Sequence, residues 1–362
     1  MRALSPAALA LLLGLPACNS PPAQVPVGAE AGAPAADASA VARPDAGTSN
    51  VTETSVYAVV DLPRTSNTQS LSATFFDESE RVLYALSDKA ARLTPLRGSP
   101  DYRSWTPAAP LALTGRPDAA WDGEGLTRVS GRLYVVSVET LPRVEVFDAS
   151  GAYVEPLALP PVFEKQRAGN KGIESLAASP DGSTLFFANE QALTVDGAAS
   201  TASRGTVVRI LRHTLKTGAQ AQFAYRTEPL GAGTGGDMGV SELAALGNDR
   251  LLVLERGFQS DVGNTVRIFE VSLAGASDVS SEASLGDTSK VLPKRLVVDL
   301  GLLPADGVTH PGKQDNPLLD NYESLSVGPA LPDGRRLLFV TSDDNESASQ
   351  VARVLVLAVP GL

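Results

Sequence analysis

Asn170-Lys-Gly-Ile-Glu-Ser-Leu-Ala-Ala-Ser-Pro-Asp-Gly-Ser-Thr-Leu-Phe-Phe-Ala-Asn-Glu190 sets a pattern that the rest of the chain repeats. A carboxylate, Glu174, opens a short apolar run; Pro180-Asp181-Gly182 supplies a turn; a second apolar run, Leu185 to Ala188, closes on Glu190. Two short apolar runs around a Gly-containing turn read as a β-hairpin, here with an acid at each open end.

The layout recurs from Trp121 to Glu139 around Ser130-Gly131, from Gly239 to Arg256, and from Asn321 to Asn345 around Asp333-Gly334. A weaker copy, Leu71 to Asp88, has Ser72 where the others open on Glu. Antiparallel pairing from these turns sets Glu242 opposite Glu255 and Glu323 opposite Asp344. It brings Glu174 within a residue of facing Glu190 and leaves Glu124 two residues off Glu139, so paired acids share one rim of each hairpin. Five repeats, spaced by roughly 50 to 80 residues, predict an all-β chain built as a radial array of small sheets, a β-propeller. At four strands and about 40 to 50 residues per blade, the body over residues 53–362 fits six blades. The long interval from Glu242 to Glu323 has room for a sixth hairpin without acids.

The first 52 of the 362 residues differ from the rest. Residues 1–17 carry Arg2 and then an apolar stretch, Ala7 to Leu15, too short to span a bilayer, and read as a secretory signal. That stretch ends in Leu15-Pro-Ala-Cys18, which resembles the bacterial lipobox and makes Cys18 the expected lipidation site. Asn19 after it points to the outer membrane. Residues 18–52, rich in Ala, Pro, Gly, Ser and Asp, cannot bury enough surface to order themselves and read as a tether. Membrane association is therefore expected through Cys18 only. Cys18 is the sole cysteine, so no internal disulfide forms. A net charge of −11 argues against a nucleic-acid partner, which needs a basic face. The chain is read as a monomer.

Val56 to Val60 is the first convincing strand and Val351 to Val359 the last; pairing them in one blade would remove an open sheet edge. Further strands are expected at Val144–Phe147, Thr206–Leu211, Gln222–Tyr225, Val266–Val271 and Arg295–Leu300, with loops over Thr194–Gly205 and Ala274–Lys290.

With these repeats in place, the chain resembles the family named for esterase-like activity of phytase, a group of secreted or lipid-anchored bacterial propellers. The likeness rests on Asn170-Lys-Gly-Ile-Glu-Ser-Leu-Ala, Leu252-Val-Leu-Glu-Arg256, Asn321-Tyr-Glu-Ser-Leu-Ser and Leu338-Phe-Val-Thr-Ser-Asp-Asp-Asn345, and covers roughly residues 55–360. Ser175 and Ser324 stand where the family more often has Gly. The resemblance implies a propeller body and hydrolysis of ester or phosphoester bonds, with the substrate left open.

Phosphoester hydrolysis requires neutralised phosphoryl oxygens and a water made nucleophilic near neutral pH, and divalent cations do both. Acids from several blades meeting at one rim would give the oxygen shell that Ca²⁺ takes. The candidate ligands are Glu124, Glu139, Glu174, Glu190, Glu242, Glu255, Glu323, Asp343 and Asp344, with Asn345 as a neutral donor. Crowded carboxylates raise one another's pKa values unless a cation or Arg compensates, and Arg256 and Lys171 are placed to do so. The candidate catalytic set is Glu174, Glu255, Arg256, Glu323 and His310, the last in a loop within sequence reach of the rim. A small-molecule ester or phosphoester is the expected substrate. There is no Gly-x-Ser-x-Gly elbow, and a site built on His and Cys is improbable with two histidines and no body cysteine. Three alternatives stay open: acids that are purely structural, a non-catalytic binding propeller of the cell envelope, and a lactonase-like propeller with one metal held by Glu, Asn and Asp.

Overall fold

The computed structural model describes residues 54–129, 133–139, 142–287 and 290–362. The secretory signal, Cys18 and the tether lie outside the described residues, as does the Ser130-Gly131 turn. A first strand, β1 (Ser55–Asp61), is followed by five runs. These are β2 (Leu71–Asp77), β3 (Val82–Ser87), β4 (Arg92–Gly98), β5 (Trp105–Pro107) and β6 (Leu111–Ala112); then β7 (Gly123–Val129), β8 (Leu133–Val138), β9 (Arg143–Phe147) and β10 (Tyr153–Leu157). After a single helical turn, α1 (Pro161–Lys165), come β11 (Ile173–Ala178), β12 (Thr184–Asn189), β13 (Val207–Thr214) and β14 (Ala219–Arg226). Last are β15 (Asp237–Ala245), β16 (Arg250–Gln259), β17 (Gly263–Ser272) and β18 (Lys294–Asp299), then β19 (Tyr322–Ala330), β20 (Arg336–Ser342) and β21 (Arg353–Val359).

Each run forms one antiparallel sheet, β2 to β6 being the first blade and β19-β20-β21 the fifth. The fifth is completed on its outer edge by β1, with Val59 opposite Leu355. The two ends of the body thus close one blade, as expected, and pair the last strand, β21, on both sides. The inner strands β2, β7, β11, β15 and β19 are neighbours in that order, and β19 returns to β2, so the ring is closed. Its core is divided into five wedges, one at each blade interface. Leu86 and Leu93 meet Leu126 and Val136 at one, and Leu71 and Leu83 meet Phe339 and Val354 where the fifth blade rejoins the first. Alternation makes this possible, because odd and even residues of a strand face opposite neighbours. Leu252 and Leu254 face the fifth blade while Leu251 and Val253 face the third.

The fold is therefore a β-propeller, but with five blades rather than six. Among the described residues the interval between Glu242 and Glu323 gains no extra sheet. Beyond β17 and β18 its described residues run as irregular chain over 273–287, 290–293 and 303–321, with one 3-10 turn at Leu300–Leu302. The length ascribed to a sixth blade is spent on connections that pack against existing blades, as where Val279 and Leu285 cover Val207 and Ala224. Among the described residues no helix is long and apolar enough to cross a membrane.

Candidate functional site

Every inner strand carries a one-residue β-bulge at the same level. Pairing skips one residue between Leu71 and Ala73, Gly123 and Gly125, Ile173 and Ser175, Val240 and Glu242, and Tyr322 and Ser324. The extra residues are Ser72, Glu124, Glu174, Ser241 and Glu323. Because a bulge leaves its residue without a cross-strand partner and re-aims its side chain, Glu124, Glu174 and Glu323 are free to face the axis, and all three line one cavity. Ser72 and Ser241 instead donate to carbonyls of the next inner strand, Gly123 O at 2.5 Å and Tyr322 O at 3.1 Å.

A second tier lies at the outlet of each second strand. Backbone bonds pair Asp88 with Ser70, Glu139 with Asp122, Glu190 with Gly172 and Asp343 with Asn321, while Arg256 pairs with Gly239 in the fourth blade. Four acids and one arginine therefore occupy equivalent places. Together the two tiers, Ser72 and Ser241 apart, line with Asp122, Lys89, Lys171, Asn170, Asn321 and Asn345 a cavity of about 290 Å³ at one end of the ring. Eight carboxylates face three cations there.

That excess has consequences. Burial, and then the charges of Glu174, Glu323, Asp122 and Glu139, hold Glu124 well above the ordinary carboxylate range. Burial with Glu190, Glu139 and Glu323 does the same for Glu174, against the opposing pull of Arg256. Glu139 is pushed up to about 7 by burial and by Glu190 and Asp122, although the Gly172 N–H donates to its Oε1 at 2.5 Å. Burial raises Glu323 to about 7 against Arg256 and Asn321, and burial with Glu323 raises Asp343 to about 8. Lys171 donates to Glu190 Oε1 at 2.9 Å, and Arg256 Nη2 lies 3.7 Å from Glu190 Oε1 and 3.5 Å from Glu323 Oε1.

Two groups bring three carboxylates close enough for one ion, Asp88 with Asp122 and Glu124, and Glu139 with Glu174 and Glu190. The Asp88 Oδ1 is buried without a hydrogen-bond partner, and the lining offers carboxylates and amides but neither His nor Cys. This donor set suits a hard divalent cation.

A family model described as phytase-like, esterase-like activity of phytase, matches residues 66–346. The chain belongs to the phytase-like family. The acidic lining of this phytase-like propeller lies within the matched residues. No curated protein matches the chain. Among solved structures it is similar to hydrazine synthase of Kuenenia stuttgartiensis at 10% identity and a TM-score of 0.36, over 80% of this chain and 62% of that one. It is also similar to a luciferin-regenerating enzyme, at 12% identity and a TM-score of 0.38 over 84% and 95% of the two chains. A streptogramin B lyase is similar at 8% identity and a TM-score of 0.36, over 83% and 97%. Likenesses this distant bear on no activity.

The structure gathers Glu124, Glu139, Glu174, Glu190, Glu323, Asp343, Asn345 and Arg256 in the cavity and leaves four expected residues out of it. Glu255 faces away because it is one residue before Arg256 on a regular strand; it accepts from Lys294 Nζ at 2.6 Å, Glu228 N at 2.8 Å and Tyr225 Oη. Glu242 falls one residue past the bulge, opposite Leu254 instead of Glu255, and its Oε1 caps Leu176 N at 3.0 Å and Leu243 N at 2.9 Å. Asp344 lies behind Asp343, accepting from Ser70 N at 3.1 Å with Arg64 at 3.4 Å. His310 is turned inward to Asp320, Nε2 to Oδ2 at 2.9 Å, and holds its own loop through Gly312. The bulges also shift the expected facing of Glu323 with Asp344, since Asp343 pairs with Asn321. Sequence reasoning passed over Asp88 and Asp122 as ligands. The first closes the hairpin that lacks an opening Glu, and the second precedes Gly123-Glu124.

Proposed function

We propose that the acidic mouth is the site of a divalent-cation-dependent hydrolysis of phosphate or related esters, carried out beyond the cytoplasm by a lipid-anchored chain. The observation that carries this reading is the convergence of eight carboxylates from four blades on one cavity whose remaining blade contributes Arg256. Asp88, Asp122 and Glu124 would hold one cation and Glu139, Glu174 and Glu190 another, Ca²⁺ being the ion whose all-oxygen shell they fit best. A bound cation supplies neutralisation of phosphoryl charge and a water that ionises near neutral pH. The protein's own contribution is to hold and orient. Arg256 and Lys171 donate to the anionic oxygens of the ester, in a recess where such bonds are stronger than in water. Glu323, bonded by Asn321 Nδ2 at 2.9 Å, fixes Arg256 in turn. Glu255 and His310 have no part in it.

Anchoring at Cys18 in the outer membrane, and a monomeric state, belong to the same reading and are supported by sequence alone. Purified protein assayed on phosphomonoesters, phosphodiesters and carboxyl esters tests the proposal. Turnover with Ca²⁺ that chelator abolishes supports it, and no chelator-sensitive turnover on any ester overturns it. Metal soaks read by anomalous scattering separate two cations from the single one of a lactonase-like site.

A further inference from the structure

The fourth blade departs from the ring in two ways at once. Where four second strands present an acid, β16 presents Arg256. Where β3, β8, β12 and β20 end at the residue before that acid, β16 runs on through Gly257 and Phe258 to Gln259, and β17 returns beside it from Gly263. The strand therefore continues about 10 Å beyond the level at which the others end, three residues at the rise of a strand.

The extension is held in place. Asp261 at its tip accepts from Thr234 N through both oxygens, at 3.0 and 3.1 Å, and the loop after the fourth blade donates and accepts on its other side. Asn264 N donates to Gln314 Oε1 at 2.7 Å and Lys313 Nζ to Asp261 O. The Gly-rich run 231–236 closes on it so tightly that a Cβ at Gly236 would sit 1.9 Å from Phe258 O. Its φ of +89° is a second reason for glycine there.

Pairing from Arg256 to Phe258 is regular on both sides, Arg256 with Val266 and Gly239, Phe258 with Asn264 and Asp237. Residues two apart on an unbulged strand share a face and lie about 7 Å apart. Phe258 is thus one step outward from Arg256 on the same face. Its strand partner Asp237 reaches the mouth, where Lys171 Nζ lies 3.3 Å from Asp237 Oδ2. Phe258 is 46% exposed, one of three large apolar side chains so exposed among the described residues.

We infer that Phe258 is the apolar half of a bipartite substrate site. The substrate is a monoester whose anionic group sits at Arg256 and whose aryl or alkyl group, about one strand step away, lies on Phe258. This inference rests on the anion-binding role given to Arg256 above. It narrows the substrate class, because an ester charged on every side, such as a polyphosphorylated ring, leaves Phe258 without a partner and adds negative charge to a mouth already rich in it.

The test is calorimetric titration of the full chain, loaded with Ca²⁺, with phenylphosphonate and methylphosphonate. Wild type should bind the phenyl compound about tenfold more tightly, equivalent to ~1.4 kcal/mol. Phe258→Ala should bring the ratio near one, and Phe258→Trp should retain it. Equal affinities in wild type, or a preference that survives Phe258→Ala, overturn the inference and leave the anion site standing. No binding of either compound by folded protein overturns both.

Discussion

Arg256 and Glu190 lie 3.7 Å apart although they occupy the same structural position on successive blades. The ring thus replaces one of five acids by the base that partly balances the other four. The Arg256 side chain is only 12% exposed, and its Nε has no hydrogen-bond partner. Removing one member of a buried charge network typically costs about 3–5 kcal/mol, because the remaining charges stay desolvated. Arg256→Ala should therefore lower the chelator-treated melting temperature sharply, and millimolar Ca²⁺ should restore much of the loss. Thermal denaturation with and without chelator reads both; a variant as stable as wild type in chelator would refute the balancing role.

Glu174→Gln should act in the opposite direction. Its carboxylate lies beside Glu190, Glu139 and Glu323, so the amide removes repulsion. Without divalent cation at pH 8 the variant should melt at or above the wild-type temperature, yet gain little on addition of Ca²⁺, with ester turnover reduced a hundredfold or more (about 3 kcal/mol). A full Ca²⁺-induced shift in this variant would remove Glu174 from the ligand set.

Glu255→Gln separates structural acids from site acids. Lys294 and Tyr225 would lose the charge they bond, at a cost of about 3 kcal/mol. The midpoint of Ca²⁺ titration should stay within twofold of wild type. A Ca²⁺ affinity lowered tenfold would place Glu255 in the mouth after all.

The pH dependence follows from the direction of the shifts. Glu139 and Glu323 keep their protons to about 7 and Asp343 to about 8, whereas in the unfolded chain they lose them near pH 4. The folded state binds more protons across that window, so stability falls as pH rises, by about 1.4 kcal/mol per pH unit for each proton withheld. In chelator the melting temperature should drop from pH 5 to pH 8, and with Ca²⁺ the profile should flatten. A flat profile in chelator would show that the mouth carries no such strain.

Much of this site could be read along the chain. Glu174 and Glu190 announce themselves because a turn between apolar runs fixes which ends of a hairpin lie together. Glu255 and Glu242 misled for one reason: a strand exposes alternate residues to opposite faces, so a one-residue error in register exchanges the site residue for its neighbour. Ser241 and Arg256 are the true counterparts of Glu174 and Glu190, and neither resembles them chemically. Asp88 was hidden in the one hairpin that has no Glu to mark it.

The order of residues alone settled that this chain makes acid-tipped hairpins, because turn chemistry and two-residue periodicity are local properties. Folding settled the number of blades, the five bulges and the single arginine among the acids. A bulge depends on how a strand meets its neighbours around the axis, and a five-membered ring depends on wedge-shaped packing between sheets far apart in sequence. Neither is encoded in a span short enough to be read locally.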